Sequence, residues 1–136
     1  MASPAKTDTL TIRSGTRSDA IEITELVQRV VRESGVETGL CQIYVPHTTA
    51  GVFINENADP DALRDILNTL EALIPWENGY RHAEGNAAAH IKASLVGTSQ
   101  TVPVRSGRLA LGRWQGIYFA DFDGPRERQF QVTILA

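Results

Sequence analysis

The chain is short of several things at once, and each shortage excludes something. One cysteine among 136 residues rules out an internal disulfide. Cys41 sits in the apolar run Gly39-Leu40-Cys41-Gln42-Ile43-Tyr44-Val45, where a buried strand thiol is expected and a nucleophile is not. No apolar stretch reaches membrane-spanning length, and the opening Met1-Ala2-Ser3-Pro4-Ala5-Lys6-Thr7 lacks a signal-type apolar core. Positive charge is not in excess: 13 Lys or Arg against 16 Asp or Glu leave a net charge of −3, which argues against a nucleic-acid-binding face. The six prolines and 11 glycines are scattered, so no linker, repeat or low-complexity tract marks a boundary. What remains is an ordinary globular composition, 42% hydrophobic and 21% charged, of single-domain length. The expectation is one cytoplasmic domain over 1–136, with 1–7 a flexible tail and neither nucleic acid nor membrane as partner.

Periodicity organises the rest. Residues 8–13 alternate as a half-buried strand, and Ile21-Glu22-Ile23 forms a second short one. Thr24 is the expected N-cap of a helix to about residue 34, closed by Gly35 in the left-handed conformation. Residues 40–46 read as a central strand stopped by Pro46, and 50–54 resume extended structure. Asp59-Pro60-Asp61 is a strong helix start: a capping carboxylate, then proline at the first position, then a second carboxylate at the positive helix end. Leu63, Ile66, Leu67, Leu70 and Leu73 or Ile74 give that helix one apolar stripe, and Pro75 ends it. Residues 76–86 read as irregular, 87–96 as a helix stopped by Gly97, and 99–104, 108–111, 116–122 and 128–135 as strands. Asp123-Gly124-Pro125-Arg126 is the expected turn of a closing hairpin. Strands flank the helices and neighbours look hairpin-connected. The fold class expected is therefore α+β, an antiparallel or mixed β-sandwich-like sheet with two or three helices. No Gly-x-Gly-x-x-Gly or phosphate-loop pattern points to a parallel nucleotide-binding fold.

Three histidines are the first chemical candidates. His47 follows the central strand, His82 lies in a polar loop, and His90 lies on the helix after it. Three imidazoles with an open position are a known arrangement for a catalytic divalent metal such as zinc, although a gap of eight between His82 and His90 matches no short zinc motif. Asn55-Glu56-Asn57-Ala58-Asp59 concentrates polar groups abruptly after an apolar strand. Asp59 is explained by capping, which leaves Glu56 as a candidate general base or orienter of a metal-binding histidine. Glu84 and Asn86, flanking Gly85, form a second polar pair. Thr48, Thr49, Lys92 and Arg126 are candidates for holding an anion. Trp114 is expected in core or interface packing. Gln115, an amide in a strand region, must be satisfied or face a ligand.

In order along the chain, His47-Thr48-Thr49-Ala50, Asn55-Glu56-Asn57-Ala58-Asp59-Pro60, His82, Glu84-Gly85-Asn86, His90-Ile91-Lys92-Ala93-Ser94-Leu95-Val96-Gly97, Gly107-Arg108-Leu109, Gly112 with Trp114-Gln115-Gly116-Ile117, and Asp121-Phe122-Asp123-Gly124-Pro125-Arg126 resemble the YjbQ-like proteins. That family is associated with secondary thiamine-phosphate synthase activity. The resemblance runs from about residue 8 to 135. It implies an α+β fold of β-sandwich character, a compact homotrimer, and a metal of zinc type held by His47, His82 and His90. It also places Glu56, Asn57 and Asn86 as catalytic positions, and Arg126 as the arginine of the terminal turn. Two positions depart from the family pattern: Ala88 stands where many relatives carry Asp, and Arg113 stands where Thr is usual before Trp-Gln.

The function expected is a metal-dependent enzyme on a small phosphorylated substrate. By resemblance it is a transferase joining a pyrimidine pyrophosphate to a thiazole phosphate. Thr48, Thr49, Lys92, Gln115 and Arg126 would hold the substrate's anionic groups. Such chemistry usually employs magnesium on oxygen ligands, whereas imidazoles prefer zinc and its neighbours, so zinc is expected and magnesium is the alternative for a pyrophosphate substrate. The rival expectations are hydrolysis of a phosphoester or amide, and a non-catalytic trimeric binding protein with a structural metal.

Overall fold

A computed structural model describes residues 5–136. The strands are β1 (Lys6–Arg13), β2 (Asp19–Glu22), β3 (Thr38–Tyr44), β4 (Ala50–Glu56), β5 (Ser99–Arg105), β6 (Arg108–Leu109), β7 (Gln115–Asp121) and β8 (Glu127–Leu135). The helices are α1 (Thr24–Ser34), α2 (Pro60–Leu73) and α3 (Ala87–Val96). Two sheets form, one of order β1-β8-β3-β5-β6 and one of order β2-β7-β4, and every ladder among the described residues is antiparallel. The α+β sandwich expectation is met, on its antiparallel side.

Strand chemistry explains the layers. In β8, Phe130, Val132 and Ile134 face inward while the residues between them face out. In β7 the run Gly116–Asp121 is buried throughout, because both faces of that strand are covered. Ile117 and Phe119 join the main core between the sheets, with Val27, Val30 and Val31 of α1. Ala120, with Phe122 just beyond the strand, packs on the other side with Ala89 and Ala93 of α3 and with Leu67 and Leu70 of α2. The helical pair α2 and α3 is thus an outer layer over the smaller sheet.

Three expectations change at this level. Lys6 and Thr7 are not tail: they pair with Ile134 and Thr133, so β1 begins earlier than its alternation suggests, while 1–4 lie outside the described residues. Thr24 is not the N-cap of α1. Ile23 is, and Thr24 turns its hydroxyl to accept the Ile117 N–H at 2.9 Å and to bond Glu22 at 2.8 Å. β3 is the middle strand of the larger sheet, as read, with Cys41 and Ile43 pointing inward and Leu40 and Tyr44 on the exposed face. Finally, the turn 123–126 closes no hairpin. β7 and β8 belong to different sheets, so Asp123–Arg126 carries the chain from one layer to the other. Of the strands adjacent in sequence, β5 and β6 alone pair with each other.

Helix α2 follows expectation closely. Asp59 accepts the Asp61 N–H at 2.9 Å, with Pro60 at the first helical position. Gly35 takes φ 71° at the end of α1, and Gly97 ends α3. The end of α3 is pinned to β4, where the Val52 N–H bonds the Gly97 carbonyl at 3.0 Å. Gly51 lies beneath this contact, and a Cβ there would drive into the Gly97 carbonyl oxygen. Gly51→Ala is expected to cost about 1–3 kcal/mol by overpacking, even though alanine is otherwise the easier residue to order. Urea unfolding checks this, and an alanine variant as stable as the parent contradicts it.

Candidate functional site

Three connections meet at one end of the sandwich. The segment between β3 and β4 brings His47, Thr48 and Thr49. The approach to α3 brings Glu84 and Asn86, and the crossover between the sheets brings Asp123 and Arg126. Together they line an open cleft of about 680 Å³, with Arg128 at its base. Loops gathered on a rigid scaffold are the usual place for chemistry.

Beneath the cleft lies a buried polar network. Arg128, almost fully buried, forks onto Asp121 through Nε to Oδ2 at 3.0 Å and Nη2 to Oδ1 at 2.7 Å. Its Nη2 also donates to the Thr49 hydroxyl at 2.7 Å. Asp121 further accepts the Ser14 hydroxyl at 2.6 Å and the Asp123 N–H at 2.9 Å. Burial works against the Asp121 charge, but the bonds from Arg128 and Ser14 outweigh it and hold the carboxyl below its ordinary range. Ser14 in turn accepts the Arg126 N–H at 3.0 Å, which fixes the crossover.

Above this floor the groups are freer. The Arg126 side chain is half exposed, and its guanidinium bonds the Asp123 carbonyl at 2.9 Å and carboxylate at 3.1 Å, leaving Nη1 unengaged among the described residues. Asn86 donates to the same Asp123 oxygen at 2.9 Å, while its own Oδ1 is buried without a partner. His47 stands edge-on to Phe119, and its Nε2 accepts the Gln129 N–H at 3.0 Å. Burial first, and then the Arg128 guanidinium, lowers its pKa from the ordinary 6.5.

The expected site residues divide into separate groups. His47, Thr48, Thr49, Asn86 and Arg126 do come together, although the Thr49 hydroxyl is committed to Arg128. Glu56, Asn57 and Gln115 do not join them. Thr49 stands at one end of β4 and Glu56 at the other, about 20 Å apart at the rise of an extended strand. At that far end Glu56 pairs in register with Gln115, Asn57 bonds Glu22 at 3.0 Å, and Gln115 accepts the Gly112 N–H at 2.8 Å. Lys92 is not an anion ligand either: it is wholly buried and paired with Glu71, which Ser18 also bonds. Trp114 is over half exposed, with Arg113 stacked at 4.8 Å, so it is not core. Ala88 is fully buried in α3.

The three histidines do not form one metal group within a chain. His82 and His90 meet with ring centroids 4.9 Å apart, and His82 lines a smaller neighbouring cavity of about 190 Å³. Among the described residues no three His, Cys, Asp or Glu gather as a metal site, and the Nε2 lone pair of His47 is already taken by Gln129. A three-imidazole centre therefore does not fit a single chain.

Arg128, Asp121 and Ser14 are what the residue-by-residue reading missed. A signal was present: Arg128 shares the parity of Phe130, Val132 and Ile134, so a charge was due on the core face of its strand and required a buried partner.

The family model described as UPF0047 protein YjbQ-like matches residues 8–136. The chain is 52% identical over 124 residues to UPF0047 protein MJ1081 of Methanocaldococcus jannaschii, covering 91% of this chain and 90% of that one. It is 51% identical over 128 residues to UPF0047 protein YugU of Bacillus subtilis, covering 93% and 97% respectively. Among solved structures, an uncharacterised YjbQ/UPF0047 protein of Clostridium acetobutylicum superposes with TM-score 0.93 at 50% identity, over 94% of this chain and 99% of that one. A YbjQ-like protein of unknown function from Sulfolobus solfataricus superposes at 0.94 with 32% identity, over 98% of each.

The lowered pKa of His47 has a stability consequence. Folding favours the neutral ring, so its contribution is complete above pH 6.5 and is lost as pH falls toward the lower folded value. Wild-type protein should therefore lose stability below that pH faster than His47→Gln. Urea midpoints across this range check it, and parallel curves contradict it.

Proposed function

The chain belongs to the YjbQ-like UPF0047 family, and from that premise we propose that it is an enzyme acting on a small phosphorylated substrate, held by its anionic group in the cleft at His47. The observation that carries this reading is the half-exposed, partly unengaged Arg126 guanidinium beside Thr48 and His47. Asp123 pairs with this guanidinium and offsets part of its charge, so what Arg126 offers a ligand is the open Nη1 face. A phosphoryl oxygen would take charge-assisted bonds from Arg126 and a bond from the Thr48 hydroxyl. Glu84, exposed at the rim, is the carboxylate at hand for proton transfer. Asn86 orients Asp123 and, through it, Arg126.

The finer reading is condensation of a pyrimidine pyrophosphate with a thiazole phosphate. A leaving pyrophosphate calls for several cations, yet Arg128 is committed to Asp121 and Lys92 to Glu71. A single guanidinium with one nitrogen still open matches a single phosphoryl group better, which favours phosphoester hydrolysis as the second reading. Calorimetric titration with inorganic phosphate, phosphomonoesters and pyrophosphate tests the cleft. Phosphomonoester binding should weaken about tenfold or more in Arg126→Ala with the fold intact. Unchanged affinity in that variant would sink the reading, and assays for condensation and for phosphate release separate the two reactions.

The metal and the homotrimer enter this proposal together. Two imidazoles on one tetrahedral zinc stand roughly 5 Å apart between ring centres, given Zn–N distances near 2 Å. His82 and His90 have that spacing, and a third donor would have to come from another copy of the chain. Elemental analysis of the purified oligomer is expected to find zinc that His82→Ala removes. Full metal content in that variant rules out the pair.

A further inference from the structure

A ring nitrogen that accepts a hydrogen bond carries no proton. Because Nε2 of His47 accepts the Gln129 backbone N–H at 3.0 Å, the neutral ring must hold its proton on Nδ1. Nδ1 has no partner among the described residues, yet it is not sealed in: Asn86 Oδ1 is the one buried side-chain polar atom left unpartnered there. Nδ1 is therefore accessible on a residue that lines the cleft.

We propose that His47 is a fixed hydrogen-bond donor in this cleft, presenting Nδ1–H to an anionic oxygen of the ligand, and that Arg128 is the positioning residue that keeps it so. The inference deepens the anion-binding reading above and rests on it. A general base or a metal ligand at Nδ1 would need a lone pair there, and this tautomer has none.

Arg128 acts through two connections. Its side chain forks onto Asp121 of β7 and bonds Thr49, two residues beyond His47. Its main chain leads directly into Gln129, whose N–H holds the ring. One buried guanidinium thereby fixes both the strand that supplies the donor and the loop that supplies the acceptor. The charged groups around the ring are Arg128, Asp121 and Arg126. Asp121 is consumed by Arg128 and Ser14, so no free carboxylate is left among them to draw the proton to Nε2. Protonating Nε2 would also set two donors against each other.

The test is long-range proton–nitrogen correlation NMR on protein labelled with ¹⁵N-histidine, with His47 assigned by His47→Gln. Wild type at neutral pH should show His47 as the Nδ1–H tautomer, and inorganic phosphate should shift Nδ1 without changing the tautomer. Lysine cannot reproduce the planar fork, so Arg128→Lys should give a mixture of tautomers and bind phosphate about tenfold more weakly. Thr49→Val, which removes one bond and leaves the Asp121 pair, should move the ring in the same direction by less. An Nε2–H ring in wild type overturns the inference and leaves the Arg126 experiment standing. Phosphate that binds without moving Nδ1 also overturns it, as does zinc binding at Nδ1. Phosphomonoester affinity that is unchanged in Arg126→Ala removes the underlying reading instead.

Discussion

Arg128 and Asp121 face each other in the gap between the two sheets, and the rest of the cleft is attached to that contact. A buried ion pair gains little over an apolar pair of similar volume, but losing one partner strands a charge in the core, at a cost of about 3–5 kcal/mol. The pair is therefore poor evidence for extra stability and good evidence for a constraint. It joins β8 of the larger sheet to β7 of the smaller. Around it, Thr49, Ser14 and the Asp123 amide take up the remaining hydrogen-bonding capacity. Each of those groups belongs to a different segment near the cleft, so satisfying one buried charge also sets the positions of its walls.

The molecule has two polar ends separated by the length of β4. At one end the cleft collects cations, hydroxyls and an imidazole. At the other, Glu22 bonds Thr24 and Asn57, and Glu56 accepts the Asp59 N–H at 3.2 Å ahead of α2. That second cluster has a local explanation: it closes the entries of α1 and α2 against β7. The Tyr118 hydroxyl bonds the Glu56 carbonyl there at 3.2 Å, and burial, with Glu22 and Glu56 nearby, keeps its proton on more tightly than usual. Motif residues that crowd together in sequence can thus serve different ends of a strand.

Much of the fold was legible because its signals were local. Asp59-Pro60, Gly35, Gly97 and the alternation of 128–135 each act through their own backbone or their own face, and the elements they mark are where they were expected. Relations between distant segments were less legible. The Asp123–Arg126 turn looks like a hairpin loop because turn chemistry does not encode which sheet the next strand joins. Thr24 looks like a cap because its competing partner, the Ile117 amide, lies 93 residues away. Lys92 looks like an anion ligand because its partner Glu71 is on another helix. Of the residues singled out in the sequence, His47, Thr48, Asn86 and Arg126 line one cleft, whereas Arg128 was not among the candidates, since a charge on the core face shows its purpose only when Asp121 is seen opposite it. Whether three separated imidazoles converge is not encoded in their spacing, and here His47 stands apart from the other two.

The lone thiol has a different use. Cys41 points inward from β3, the middle strand of the larger sheet, and burial pushes its pKa up to about 12. Alkylating reagents attack thiolate, so in the closed molecule they find neither access nor the reactive form. The sulfur becomes available when the centre of the sandwich parts, and fraying at β1 or β6 leaves it covered. Its labelling rate is consequently a built-in clock for opening of the whole core.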